Sequence, residues 1–199
     1  DVESRGLGDV YKRQHLDNGG NNEMYRDWFD HYMERGEDFD YIGLSYYPFW
    51  HGTLQMLEDN MNDMAARYGK ELIVAEVSMG YTMEDYKQYE KLKDSERKGY
   101  ATKPELVAKI EYPMTVQGQA DFTKDFLNRV AHVRDNKGLG FFWWEPAWIP
   151  VHGSGWATPA SLKYMNDPGP CGNEWANQAL FDYDGNVLPA LEVIRDFRK

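Results

Sequence analysis

The sequence predicts an α/β protein with a parallel sheet and helices outside it. Three observations carry that expectation. Short apolar runs alternate with segments of helical period. The run ELIVAEV is apolar on both faces from Leu72 to Ala75, as strands covered by helices on both sides are. Each apolar run also stops at polar or aromatic residues: Ser45-Tyr46-Tyr47, Glu76-Val77-Ser78 and Trp143-Trp144-Glu145. In parallel α/β folds the chemistry sits at those carboxyl ends.

The elements follow in order. Glu23–Arg35 reads as a helix with Met24, Trp28, Phe29, Tyr32 and Met33 on one face and Gly36 to end it. Asp40–Tyr47 is a short apolar strand. Thr53 caps a helix in which Leu54, Leu57, Met61, Met64 and Tyr68 recur at helical spacing, with Gly69 at its end. Glu71–Val77 is a buried strand, and a long polar excursion runs over Gly80–Lys103. Gln119–Asp135 is a third helix with Phe122, Phe126, Val130 and Val133 inward. Gly138–Trp144 is the last strand, followed by a long loop. Pro189–Arg198 closes the chain as a helix with Leu191, Ile194 and Arg198 on one stripe.

Composition narrows the function classes. The chain has 199 residues and a net charge of −11, which disfavours nucleic acid or an anionic membrane surface as partner. Its single Cys171 forms no internal disulfide, and Cys and His spacing offers no zinc site. No apolar run is long enough for a transmembrane helix. The outlier is 7 Trp, 14 Tyr and 9 Phe, which on an acidic chain favours a ligand that stacks, such as a sugar.

A strand that ends on a carboxylate is hard to explain by packing, because burying a carboxylate unpaired is costly. Glu76 is therefore the leading functional candidate. Glu145, before Pro146, reads equally well as a salt bridge holding its loop.

The strings YIGLSYYPFWHG, LIVAEVSMGYT, GFFWWEPAWIPV and GNEWANQALFDYDGNVLPAL together resemble glycoside hydrolase family 53, the endo-β-1,4-galactanases, in order and spacing from about His15 to Lys199. The resemblance implies the C-terminal half of a (β/α)8 TIM barrel of retaining glycosidases. HLDNGGN would be the end of the fifth barrel strand, YIGLSYYPFW the sixth, LIVAEVS the seventh and GFFWWEPAW the eighth. It makes Glu76 the nucleophile. The general acid/base would lie in an Asn-Glu pair after the fourth barrel strand. The Asn-Glu pairs present, Asn22-Glu23 and Asn173-Glu174, follow no such strand, so the acid/base is absent from this chain and the 199 residues alone are expected to be inactive.

The same resemblance points to substrate-binding residues. Tyr46 or Tyr47 would hold Glu76, one of them facing the barrel mouth and the other packing. Trp144 would wall the galactose at the cleaved position, and Trp50 and Trp148 would stack on neighbouring units. His15 and His51 would bond sugar hydroxyls or serve the structure; Trp28 and Trp175 read as core rings. No cofactor and no metal are expected. Some family members hold calcium, but the loop with Glu84 and Asp85 lacks a dense Asp/Asn ladder, and Asp182–Asn186 reads as a turn.

The expected partner is β-1,4-galactan of pectic arabinogalactan, acted on by a secreted, periplasmic or cell-surface enzyme that is a monomer when complete. The alternatives are a mannanase or xylanase on the same barrel, or a non-catalytic carbohydrate-binding protein. Residues 1–14 are expected to be a non-native or disordered leader, since RGLGDVYKRQ resembles translated adapter sequence. Residues 15–199 are expected to form part of one glycosidase domain.

Overall fold

The computed structural model describes residues 13–36, 38–84, 102–148, 157–166 and 175–198. Four strands form one sheet in the order β1-β2-β3-β4: β1 Arg13–Leu16, β2 Tyr41–Tyr46, β3 Glu71–Val77 and β4 Gly138–Trp143. The pairs β1–β2 and β2–β3 are parallel, as expected. Arg13 and Gln14, assigned from the sequence to the leader, lie in β1 opposite Tyr41 and Ile42. Four residues are too few for a hydrophobic period to show, so the pattern did not reveal this strand. Residues 1–12 lie outside the described residues.

One sheet face is fully packed: Ile42, Leu44, Tyr46, Leu72, Val74 and Val77 are buried. On the other face Gly43 and Ser45 are buried, and Ile73 and Glu76 are half-buried. The expectation of strands buried on both faces therefore holds for β2 and in part for β3.

Helix α1, Asn22–Glu34, starts where Asn21 Oδ1 accepts from the Met24 N–H at 3.1 Å. Its buried residues are Tyr25 and Phe29, whereas Met33 of the expected stripe is 39 % exposed. Tyr25 buries because its hydroxyl finds the Leu16 carbonyl at 2.7 Å, so the ring goes inward without stranding a polar atom. Phe29 then meets Trp28, Phe39 and Tyr68. Much of the ring excess is thus core.

Helix α2, Leu54–Tyr68, is built as its spacing implies. Thr53 Oγ1 accepts from the Met56 N–H, and Gly69 ends the helix at φ +67°, a left-handed conformation that glycine adopts without strain. Two double ion pairs, Arg26–Asp63 and Arg67–Asp30, tie α1 to α2.

A single helical turn, α3 Pro104–Val107, precedes α4, Val116–Ala131. Helix α4 starts before Gln119 because Thr115 Oγ1 accepts from the Gly118 N–H. It stops before Asp135 because Val133 turns extended and Asp135 and Asn136 take positive φ. Phe122, Phe126, Val130 and Val133 are buried as expected. The long loop after β4 contains a helix the sequence did not suggest, α5 Pro159–Tyr164, capped by Thr158. Helix α6 is Pro189–Asp196; Arg198 falls beyond its end and leaves the expected stripe.

The chain divides into two compact units. The first comprises residues up to Tyr47, His51–Val77 and Asn128–Phe142; the second comprises Pro48–Trp50, Ser78–Leu127 and Trp143 onward. The second is held partly by buried amides. Gln119 Nε2 donates to the Met79 and Ala179 carbonyls, Ser78 Oγ donates to Gln178 Oε1, and Trp143 Nε1 donates to the Gln178 carbonyl.

Candidate active site

In the first unit the carboxyl end of β3 carries one irregularity. Leu44 stands opposite Val74, but Ser45 stands opposite Glu76, so Ala75 is left without a partner. A strand presents alternate residues to alternate faces, and an unpaired residue reverses that alternation. Without it, Glu76 would share the buried face with Leu72 and Val74. With it, Val77 joins Tyr46 on the buried face, and Glu76 joins Ser45, Gly43 and Ile73 on the other. His15, opposite Gly43, is on that same face, and its Nε2 lies 2.8 Å from Ser45 Oγ.

The two tyrosines left open by the sequence separate cleanly. Tyr46 is fully buried, and its hydroxyl donates to the Gly52 carbonyl at 2.8 Å. Tyr47 is the residue that reaches the carboxylate: its hydroxyl donates to Glu76 Oε2 at 2.9 Å.

His51 is 6 % exposed and holds Tyr47 from behind. Its Nδ1 accepts from the Tyr47 backbone N–H at 3.1 Å, and its own N–H donates to the Tyr47 carbonyl at 2.8 Å. Its Nε2 lies 3.3 Å from Asp17 Oδ1. Burial pushes the imidazole below its ordinary pKa; the Asp17 carboxylate, the Ser45 backbone and Glu76 oppose that shift. Gly20 is required here, because a Cβ on it would lie 2.0 Å from the His51 carbonyl oxygen.

Tyr47, His51, Glu76 and His15 thus come together in the first unit. Trp50, Trp144 and Trp148 belong to the second. There Trp50, 40 % exposed, meets Phe49 and Trp175 edge-on, so Trp175 is a neighbour of a candidate platform as well as a packed ring. Trp144 is 38 % exposed at the end of β4, and the Trp148 N–H donates to the carbonyl of Glu145, which holds φ +51° in that turn.

Sequence reasoning missed Asp17 and Ser45. The available signal for Asp17 was its place in LDNGG, a strand end running into a glycine turn. Asn22-Glu23, one of the two Asn-Glu pairs, opens α1, where Asn22 Nδ2 donates to Asn60 Oδ1 and Asp63 Oδ2. Asn173-Glu174 lies outside the described residues, as do Asp85 and most of the Gly80–Lys103 excursion. Asp182 accepts from the backbone of Asp184 and Asn186 and from the Asn186 amide, which makes Asp182–Asn186 the turn expected, with Gly185 at φ +86°.

The model of Glycosyl hydrolase family 53 matches residues 13–194. The chain is 39 % identical over 178 residues to the endo-beta-1,4-galactanase of Bacillus subtilis, covering 79 % of this chain and 38 % of that protein. It is 31 % identical over 185 residues to the arabinogalactan endo-beta-1,4-galactanase of Humicola insolens, covering 90 % and 46 %. The solved Ignisphaera aggregans GH53 catalytic domain superposes with a TM-score of 0.76 at 33 % identity, covering 92 % of this chain and 45 % of that one. The chain therefore spans less than half the length of these relatives, and its parallel sheet and helices are part of a (β/α)8 barrel. On a family match that covers nearly all of its described residues, the chain belongs to glycosyl hydrolase family 53.

Proposed function

We propose that the complete protein containing this chain is a retaining endo-β-1,4-galactanase acting on the β-1,4-galactan of pectic arabinogalactan, with Glu76 as nucleophile. The observation that carries this reading is the Tyr47 hydroxyl on Glu76 Oε2 at the carboxyl end of β3, on the sheet face opposite the buried one. The two galactanase relatives supply the substrate class.

Retention needs two carboxyl groups about 5–5.5 Å apart across the scissile bond. Tyr47 occupies one carboxylate oxygen of Glu76 and leaves Oε1 to attack the anomeric carbon. A second carboxylic acid, contributed by chain outside these 199 residues, protonates the departing glycosidic oxygen. A covalent galactosyl ester forms on Glu76, and water activated by the second group releases it with the original β configuration. Trp144 walls the galactose at the cleaved position. Trp50 and Trp148 stack on adjoining units, and His15, with Nε2 engaged by Ser45, offers its other ring nitrogen to a sugar hydroxyl.

A polymeric substrate of this kind is met outside the cell, so the enzyme acts as a secreted, periplasmic or surface-bound monomer. Among the described residues no helix is long and apolar enough to cross a membrane. The complete enzyme should release oligosaccharides from β-1,4-galactan and leave β-1,4-mannan and β-1,4-xylan intact. Preference for mannan or xylan would overturn the substrate assignment, and binding of galactan without any cleavage would overturn the catalytic one.

A further inference from the structure

His51 contacts Tyr47, Asp17 and the Ser45 backbone, and two of its hydrogen bonds fall on Tyr47. Tyr47 is bound to it on both sides of the backbone: the Tyr47 N–H donates to His51 Nδ1, and the Tyr47 carbonyl accepts from the His51 N–H. The two rings meet edge-on at 5.6 Å. A nitrogen that accepts a backbone N–H carries no proton, so the ring proton sits on Nε2. Nε2 in turn faces Asp17 Oδ1 at 3.3 Å. Gly20 closes against the His51 carbonyl, and the Gly19 N–H donates to the Ser45 carbonyl, so the turn after β1 and the turn after β2 brace each other.

We infer that His51, oriented by Asp17, is a positioning residue that sets the Tyr47 hydroxyl against Glu76, and is not a sugar ligand. The inference rests on the reading of Glu76 as nucleophile. Both polar atoms of its ring are committed, one to Tyr47 and one towards Asp17, and its side chain is 6 % exposed, which leaves little of it for a sugar to touch. What it controls is the placement of the Tyr47 backbone, and through the ring the placement of the one hydroxyl that orients the carboxylate. A misplacement of an orienting group by about 1 Å is enough to lower turnover by orders of magnitude.

The test is a set of steady-state measurements on the complete enzyme with galactan. His51→Ala should lower kcat by about ten-fold while KM changes by less than about two-fold, since positioning acts on the reacting geometry and not on ground-state binding. His51→Asn, whose Oδ1 can reach the place of Nδ1, should regain most of the lost kcat. Added to Tyr47→Phe, His51→Ala should cost less than about a further two-fold, because its effect runs through the hydroxyl already removed. Asp17→Ala, at a side chain that is 75 % exposed and safe for folding, should lower kcat by about three-fold with KM unchanged.

A raised KM with unaltered kcat, effects of His51→Ala and Tyr47→Phe that multiply, or no change in Asp17→Ala would overturn the positioning role. Azide added to Glu76→Ala reads the nucleophile assignment separately. An α-galactosyl azide together with multiplying effects overturns only the role of His51; a β-galactosyl azide overturns the reading of Glu76 whatever His51 does.

Discussion

Ser45 stands opposite Glu76 because Ala75, between Val74 and Glu76, has no partner on β2. That one unpaired residue moves the carboxylate from the helix-packed face of the sheet to the face that carries Ser45 and His15. Placing an unpartnered carboxylate among Leu72, Val74 and the helices would cost several kcal/mol, so the bulge is what makes Glu76 compatible with a buried strand.

Giving Ala75 a partner, by inserting one alanine between Leu44 and Ser45 in the complete enzyme, should therefore remove galactan hydrolysis. Ordinary alternation would then set Glu76 on the helix face or turn Leu72 and Val74 outward. The activity should fall by at least about 10³-fold, with a lower melting temperature. An insertion variant with normal turnover would show that the bulge has no part in placing the carboxylate.

Glu76→Gln should abolish hydrolysis and leave oligosaccharide binding largely intact, since shape is kept and the attacking charge is lost. Azide should restore turnover to Glu76→Ala and yield galactosyl azide of α configuration, analysed by NMR of the product. Glu145→Gln, by contrast, should keep most of its activity, because Glu145 belongs to a turn closed by the Trp148 N–H. Wild-type activity in Glu76→Gln would discard the nucleophile assignment.

The two tyrosines should divide into a catalytic effect and a stability effect. Tyr47→Phe removes the donor to Glu76 Oε2 and should lower kcat by roughly ten- to a hundred-fold with little change in melting temperature. Tyr46→Phe strands the Gly52 carbonyl and should cost about 1 kcal/mol of stability while kcat stays near wild type. Kinetics and thermal melts on both variants decide the matter; a kcat loss confined to Tyr46→Phe would reverse the assignment.

His51 should make the folded state sensitive to acid. Its pKa is lowered on folding, chiefly by burial, with Asp17 and Glu76 opposing and the Tyr47 ring packed beside it. The unfolded chain therefore binds a proton that the folded site resists. The stabilisation is fully present above the ordinary histidine value near 6.5 and is lost as pH falls below it. Melting curves between pH 8 and pH 5 should show the wild type losing more stability than His51→Asn. Parallel curves would remove His51 as the source.

The 199-residue chain alone should cleave galactan no faster than buffer, since loss of a general acid costs about 10²–10⁴-fold by itself. Reducing-sugar assays on a purified preparation measure this directly. Normal turnover would place the second carboxyl group within these residues.

The sequence alone determined the alternation of strands and helices, Thr53 and Gly69 as the ends of α2, and Glu76 as the carboxylate of interest. Those features are local: a cap, a left-handed glycine and an apolar run ending in charge are each written within a few residues. It also carried the family through four strings in register. Tertiary structure decided what depends on neighbours distant in the chain. Alternation showed that Tyr46 and Tyr47 face opposite ways, but only pairing with β3 decided which one meets Glu76. Periodicity set α1 on Met24 and Met33, but the Leu16 carbonyl turned Tyr25 inward. The unpaired Ala75 was illegible for the same reason: a bulge is a relation between two strands, and one strand read alone has no partner from which to slip.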